Sequence, residues 1–281
     1  MKKLNVKVPV SAGVIIDSVT KEITFDFKKD TARDAIRLTG IVLRQSNVAG
    51  NVYLYGYEFT SNATRAEKSI FVEQLKAYPN LANETIDSNF EAFIMRPILK
   101  MGQNIDKINC IVYPQSRSDL NRMMIKYIHA VTGLNSKNFL TFEMLKVAAN
   151  KITFDYGSFE RDLKDDMKPK TYRNILKRIK AAMDALPNAT YFSIADTLPS
   201  VARQYVSPFL EFPNDERIKP AIEGQNVLIV DDIGTSGITI LQSVRALRKV
   251  GTPKSITIFT LLGKQYKAFA PFKKKTAFSH L

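Results

Sequence analysis

At 281 residues and 45 % hydrophobic content, the chain is long enough to bury one sizeable core, or one core with a smaller satellite. No stretch approaches the roughly 18 to 20 apolar residues that span a bilayer, the lone Cys110 excludes an internal disulfide, and Asn5 and Lys7 interrupt the apolar run a secretory leader would need, so a cytoplasmic protein without membrane contact is expected. The formal charge of +14 is uneven, with 15 Lys and Arg against 12 Asp and Glu over residues 1–107 and 26 against 15 thereafter, a bias that suits nucleic acid or a polyphosphate ligand.

The chain reads first as β-rich. Val14–Ile16, Ile23–Phe27, Gly40–Arg44 and Asn51–Phe59 carry β-branched and aromatic residues, and Ala49-Gly50-Asn51 reads as a turn joining the last two into a hairpin. Two amphipathic helices follow, about Ala66–Tyr78 and Asn89–Met101, with Ile70, Phe71 and Leu75 on one face and Phe90, Phe93, Ile94 and Ile98 on the other's. Residues 1–88 are expected to form a smaller β-rich region (a hood, cap or dimer element), and residues 89–281 the main domain.

From Ile108 the pattern becomes strand, turn, helix. Ile108–Tyr113 is a short apolar run suited to a strand covered on both faces. Pro114-Gln115-Ser116 breaks it, Ser118 or Asp119 can cap a helix to about Val131, and Gly133 ends that helix. Phe139–Val147 reads as a further strand. Residues 157–187 begin highly charged and then form an amphipathic helix, with Tyr172, Ile175, Leu176, Ile179 and Met183 inward and Lys170, Arg173, Lys177 and Arg178 outward. The last third is a βαβ unit: strand Val227–Val230, helix Ile238–Val250, Gly251, strand Ser255–Leu262. The fold class expected is α/β, a parallel sheet with flanking helices.

Asn226–Thr239, NVLIVDDIGTSGIT, carries the chemistry. Four apolar residues deliver Asp231 and Asp232 to the strand's carboxyl end, where open α/β sheets bind ligands. Adjacent strand residues face opposite ways, so two consecutive carboxylates act together only where the strand is turning, and they need hydroxyls, a metal or cations to offset their desolvation. Gly234 and Gly237 permit close backbone approach, Thr235, Ser236 and Thr239 add hydroxyls, and with Ile238 they open a helix whose N-terminal amides suit phosphate. Carboxylates beside a phosphate cradle fit a ribose 5-phosphate. A Walker A loop would need Lys where Ile238 stands, and a dinucleotide fingerprint would need a third glycine. A receiver domain opens with its acidic strand, whereas only 49 residues follow Asp232 here.

VLIVDDIGTSGIT closely resembles the phosphoribosyl pyrophosphate motif of type I phosphoribosyltransferases, and LQSVRALRKVGTPKSITIFTLL continues that family's helix–Gly–strand pattern. The resemblance is strong over about Asn226–Leu262 and weaker back to about Asn89. It implies a magnesium-dependent enzyme in which a nitrogen acceptor displaces pyrophosphate from the anomeric carbon of phosphoribosyl pyrophosphate. Asp231 and Asp232 would contact the ribose hydroxyls, stabilise positive charge on the ring, and meet Mg²⁺ mainly through ligand and water. Gly234, Thr235, Ser236, Gly237, Ile238 and Thr239 would hold the 5-phosphate. The pyrophosphate loop of the family falls on Ile111–Asn121, with Gln115, Ser116, Arg117 and Ser118 as candidates and Arg117 offering bidentate donors. That turn looks like the ComF-like branch. Members acting on 6-oxopurines carry an Asp where Thr235 stands, so hypoxanthine and guanine are disfavoured as acceptors and ComF-like or orotate-type members stay open. No flexible-loop signature is recognisable, although the basic stretch containing Arg161, Lys164, Lys168 and Lys170 lies in that interval.

Two scattered histidines, His129 and His280, make a zinc site improbable, and Cys110 reads as a core residue. The rival reading is a non-catalytic regulatory or nucleic-acid-binding protein on the same fold, using the basic C-terminal half. The family resemblance also implies a homodimer.

Overall fold

The structure, a computed structural model, describes residues 14–16, 20, 23–25, 36–38, 51–59, 63–81, 88–102, 108–116, 118–132, 140–188, 194–234 and 237–263. In chain order the strands are β1 (Val14–Ile16), β2 (Ile23–Phe25), β3 (Ile36–Leu38), β4 (Val52–Phe59), β5 (Cys110–Pro114), β6 (Leu140–Lys146), β7 (Thr153–Phe154), β8 (Val206–Ser207), β9 (Leu210–Glu211), β10 (Asn226–Ile233) and β11 (Ser255–Gly263). The helices are α1 (Arg65–Leu81), α2 (Ser88–Gly102), α3 (Leu120–Thr132), α4 (Tyr156–Leu163), α5 (Pro169–Ala185), α6 (Ile194–Thr197), α7 (Ile218–Ile222) and α8 (Ile238–Val250).

Val227–Val230 lack the alternation of a one-sided strand because β10 is covered on both faces. It lies inside a seven-stranded sheet of order β3-β4-β11-β10-β5-β6-β9. The five central strands run parallel, while β3 and β9 close the edges antiparallel to β4 and β6. This is the expected α/β class, a mostly parallel sheet with flanking helices.

Side-chain alternation divides the core in two. Leu228 and Val230 of β10 and Ile111 of β5 pack with Phe71 and Leu75 of α1, Phe93 and Ile98 of α2, and Met124 and Ile128 of α3. Val227 and Ile229, with Cys110 and Val112, pack instead with Val244 and Leu247 of α8, Phe159 of α4 and Ile179 of α5. So α3 follows β5 on one face and α8 follows β10 on the other. The chain moves outward from β5 to β6 in one direction and from β10 to β11 in the opposite one. Right-handed crossovers force that split, and it opens a crevice between the carboxyl ends of β5 and β10.

Strand β4 ties the N-terminal region into the main sheet. β4 pairs in parallel with β11 from Val52↔Thr257 to Glu58↔Gly263, so the sheet runs across the division expected at residue 88. Helix α2 presses on β4 at Gly56, where a Cβ would stand 2.6 Å from the Cβ of Pro97. The second strand is described over Ile23–Phe25, with residues 26–27 outside the described residues, and β3 was not expected. Gly40–Arg44 and the turn at residues 49–50 lie outside the described residues. The charged stretch after residue 156 is helical throughout most of its length. Asp155 caps α4 by accepting the Ser158 amide at 2.9 Å, and Pro169 opens α5 at a position where no amide bond is lost.

Candidate functional site

The last residues of β10 carry the two carboxylates into the crevice. Asp231 is 5 % and Asp232 3 % exposed. The Asp232 amide donates to Asp231 Oδ1 at 3.0 Å, and the two carboxyls lie close enough for the Asp232 charge to act on Asp231. Two further groups converge on them. Asn121, in the first turn of α3 and 1 % exposed, donates from Nδ2 to the Pro114 carbonyl at 3.2 Å and lies near enough to Asp231 to act on its carboxyl. Lys76 of α1 places Nζ 3.2 Å from Asp232 Oδ2. That is an ion pair by distance, but the ammonium does not approach along a hydrogen-bonding direction. Asp232 Oδ2 therefore remains a buried acceptor without a hydrogen-bond donor among the described residues, as does Asn121 Oδ1.

Burial raises the Asp231 carboxyl well above the usual carboxylate range, and the adjacent Asp232 raises it further; the Lys76 charge, the Asp232 amide and the Asn121 amide pull it back. Left alone, such a pair costs stability. Hydroxyl donors or a cation would relieve it.

Beyond the acids, the Gly234 amide donates to the Leu262 carbonyl at 2.8 Å, which extends the β10–β11 ladder past the last strand residue. Gly237 takes φ 73°, ψ 0°, a left-handed conformation that a side chain would strain, and its carbonyl accepts the Leu241 amide at 2.9 Å as the first bond of α8. Helix α8 has no side-chain cap, which suits an anion at its N-terminus. Ile238 buries its side chain in the core on the α8 face, and the half-buried Thr239 accepts the Ser243 hydroxyl at its carbonyl. Thr235 and Ser236 lie outside the described residues.

Across the crevice the β5–α3 turn is locally engaged. The Gln115 amide donates to the Met144 carbonyl at 2.8 Å, while Gln115 Oε1 accepts the Lys146 amide at 3.1 Å, stitching β5 to β6. Ser116 Oγ accepts the Ser118 amide, and Ser118 Oγ accepts the Leu120 amide at 3.1 Å to start α3. Arg117 lies outside the described residues. Of the basic stretch, Arg161 on α4 pairs with Asp162 and Lys164, in the turn just after α4, pairs with Glu160, while Lys168 precedes α5 and Lys170 lies on it.

Lys76 and Asn121 are the residues that reading the sequence missed. Thr64-Arg65-Ala66-Glu67 is a capping box, with the Thr64 amide donating to Glu67 and the Glu67 amide to Thr64 Oγ1, and it sets the phase of α1. Nothing local aims Lys76 at β10. Asn121 did carry a signal: with Met124, Ile125 and Ile128 it forms one helical stripe, and a polar residue in an apolar stripe needs partners.

Cys110 is fully buried and its thiol is pushed up to about 12 by burial, which removes it as a nucleophile. Among the described residues no group of three or more His, Cys, Asp or Glu side chains is placed to hold a metal ion, and no helix is long and apolar enough to cross a membrane.

Residues 189–279, about a third of the chain, match the family described as the phosphoribosyl transferase domain. The match spans Val227–Thr239, the stretch that resembles the type I phosphoribosyltransferases. No curated protein matches the chain. Among solved structures it is similar to a hypoxanthine phosphoribosyltransferase from Staphylococcus aureus, at 14 % identity over 62 % of this chain and 65 % of that one, with a TM-score of 0.33. A hypoxanthine phosphoribosyl transferase from Trypanosoma cruzi gives 13 % identity, 62 % and 67 % coverage and 0.31. An adenine phosphoribosyltransferase from Thermoanaerobacter pseudethanolicus gives 16 %, 63 %, 82 % and 0.31. The chain thus spans less than two thirds of the Staphylococcus aureus structure it matches.

Proposed function

We propose that the chain is a phosphoribosyltransferase that uses phosphoribosyl pyrophosphate and magnesium to transfer ribose 5-phosphate to a nitrogen acceptor. One observation carries this reading. Two buried carboxylates, one with an acceptor oxygen lacking a donor among the described residues, stand at the sheet's switch point one short turn before a left-handed glycine and an uncapped helix. A ribose 5-phosphate offers vicinal hydroxyls to the former and an anion to the latter. The family match over residues 189–279 supports it independently.

In this reading Asp231 and Asp232 accept the ribose hydroxyls and orient the sugar. The acceptor nitrogen attacks the anomeric carbon, the bond to the pyrophosphate oxygen breaks with its electron pair leaving on pyrophosphate, and the nitrogen gives up its proton to the departing pyrophosphate or to water. Positive charge develops on the ring during bond cleavage. Carboxylate charge held in a dry crevice stabilises that positive charge without reorganising, the kind of preorganised electrostatics that dominates many enzymes. Gly234, Thr235, Ser236, Gly237, Ile238 and Thr239 hold the 5-phosphate. Gln115, Ser116, Arg117 and Ser118 border the pyrophosphate end. The donor set fits magnesium, a hard ion commonly held by one or two carboxylates with substrate phosphates and waters, and Asp232 Oδ2 is an acceptor of that kind. When bound, Mg²⁺ would neutralise the leaving pyrophosphate. Thr235 in place of an acid directs the proposal away from 6-oxopurine acceptors. The main domain would comprise residues 89–281, its sheet extended by β4 from the earlier residues, in a cytoplasmic enzyme that forms a homodimer.

A second reading, a non-catalytic nucleic-acid-binding protein, is favoured by the exposed cations Lys170, Arg173, Lys177, Arg178 and Lys180 along α5. Pyrophosphate release from phosphoribosyl pyrophosphate over a panel of nucleobases separates the two. Turnover with at least one base is expected. Release with none, alongside RNA or DNA binding that falls steeply with salt, overturns the enzyme reading.

A further inference from the structure

We infer that Lys76 is the exchangeable cation of the site: its ammonium rests on Asp232 and passes to the pyrophosphate of the incoming ligand as the ribose hydroxyls take over the carboxylates. The inference rests on the phosphoribosyl pyrophosphate reading above and adds to it a residue from the N-terminal region.

The geometry is asymmetric. Asp232 is 4 % exposed at its side chain and Lys76 41 %, so the carboxylate is fixed in the dry crevice while the ammonium sits at its rim on a flexible four-carbon stem. The helix beneath that stem is fixed. Its first turn is locked by the Thr64–Glu67 capping box, and Phe71 and Leu75, both fully buried, pin it to the sheet immediately before Lys76. A rigid backbone carrying a mobile charge suits exchange between partners.

The direction of exchange follows from the layers. Helix α8 and its N-terminal turn belong to one face of the sheet, and α1, α2 and α3 to the other. The 5-phosphate would lie at Gly237, on the α8 side. Lys76 reaches the crevice from the α3 side, where the β5–α3 turn begins and where the pyrophosphate would lie. The described side chains of that turn, Gln115, Ser116 and Ser118, are uncharged and bonded to backbone amides. A polyanion entering there draws cations, and Lys76, whose charge reaches Asp231 next to the Asn121 that holds the Pro114 carbonyl, would act beside Arg117 of the turn.

The charge balance requires the move. Ribose hydroxyls donate hydrogen bonds to the carboxylates but bring no positive charge. The ammonium that stands against Asp232 Oδ2 occupies the space in front of an acceptor those hydroxyls need. Moving it a short way onto phosphoryl oxygens clears the acceptor, keeps the cation near the acids, and neutralises part of the ligand's charge.

The test is calorimetric titration of the full chain, comparing wild type with Lys76→Met and Lys76→Arg. The titrants are magnesium phosphoribosyl pyrophosphate and ribose 5-phosphate, and thermal unfolding without ligand serves as a folding control. Lys76→Met is expected to weaken phosphoribosyl pyrophosphate binding by about tenfold or more, and ribose 5-phosphate binding by less than about threefold. Lys76→Arg, which keeps the charge, should remain within about threefold of wild type for both. Equal losses for both ligands in Lys76→Met would make Lys76 a structural support and overturn the inference, as would no loss for either. A wild type that binds neither ligand instead defeats the phosphoribosyltransferase reading itself, and Lys76 falls with it. If Lys76→Met fails to fold, the same comparison is made with Lys76→Gln.

Discussion

The two walls of the crevice are built on opposite principles. On the β5–α3 side the polar groups close on themselves: Gln115 stitches two strands, Ser116 braces Ser118, and Ser118 starts a helix. On the β10–α8 side they stay open. Asp231 and Asp232 are buried beside each other, one acceptor oxygen has no donor among the described residues, and Gly237 holds a left-handed conformation ahead of an uncapped helix. The first wall stabilises the fold with its polar residues, and the second spends stability on them. A cost without a structural return marks the wall that would meet the ribose 5-phosphate.

That contrast predicts opposite signs for stability and binding on the two sides. The largest structural effect is expected from Gly237→Ala, where a side chain in left-handed backbone costs about 1–2 kcal/mol and also disturbs the phosphate turn. Denaturant unfolding and ligand titration should both worsen; a variant as stable as wild type would mean that the turn relaxes freely.

Asp231→Asn should do the reverse for stability. The folded carboxyl keeps its proton to higher pH than the unfolded one, because burial and Asp232 raise it. As pH rises above the ordinary Asp range of about 4, the unfolded chain ionises first and wild-type stability falls until the folded carboxyl also ionises. Asparagine removes that penalty. The variant should match wild type near pH 4 and exceed it by about 0.5–2 kcal/mol at pH 7, while binding ligand less well. Unfolding curves at the two pH values check this, and a difference independent of pH would contradict it.

Ser118→Ala is expected to have the smallest effect. Loss of the hydroxyl that receives the Leu120 amide should cost about 1 kcal/mol, with ligand affinity nearly unchanged. A large loss of affinity with little loss of stability would place Ser118 on the ligand and erase the contrast between the walls.

The same contrast explains what could be read from the sequence. The unit β10–α8–β11 is local, with a continuous apolar strand, a helical period and a glycine at each end of the helix, and its limits follow the residues closely. The acid pair was legible because two carboxylates after Val227–Val230 have no reason to be there unless something meets them. The place of β4 was not legible. Its parallel pairing with β11 joins Val52 to Thr257, and no local pattern encodes a partner so far along the chain. Lys76 was hidden for the same reason, since a lysine on an amphipathic helix normally faces solvent. The charged stretch from residue 156 was read as one helix after an irregular lead. Its division into α4 and α5 depends on the Asp155 cap and on Pro169, with the buried Phe159 and Leu163 anchoring the first piece.

The most direct measurement is thermal unfolding of the wild-type chain titrated with phosphoribosyl pyrophosphate, with and without magnesium, beside Asp231→Asn/Asp232→Asn. Ligand at about 100 times its Kd should stabilise wild type by about 2.7 kcal/mol, a shift of several degrees that magnesium increases. The double variant should fold and show no shift. No stabilisation of wild type at millimolar ligand, or an equal shift in the double variant, would contradict the assignment of this crevice as a ribose-phosphate site.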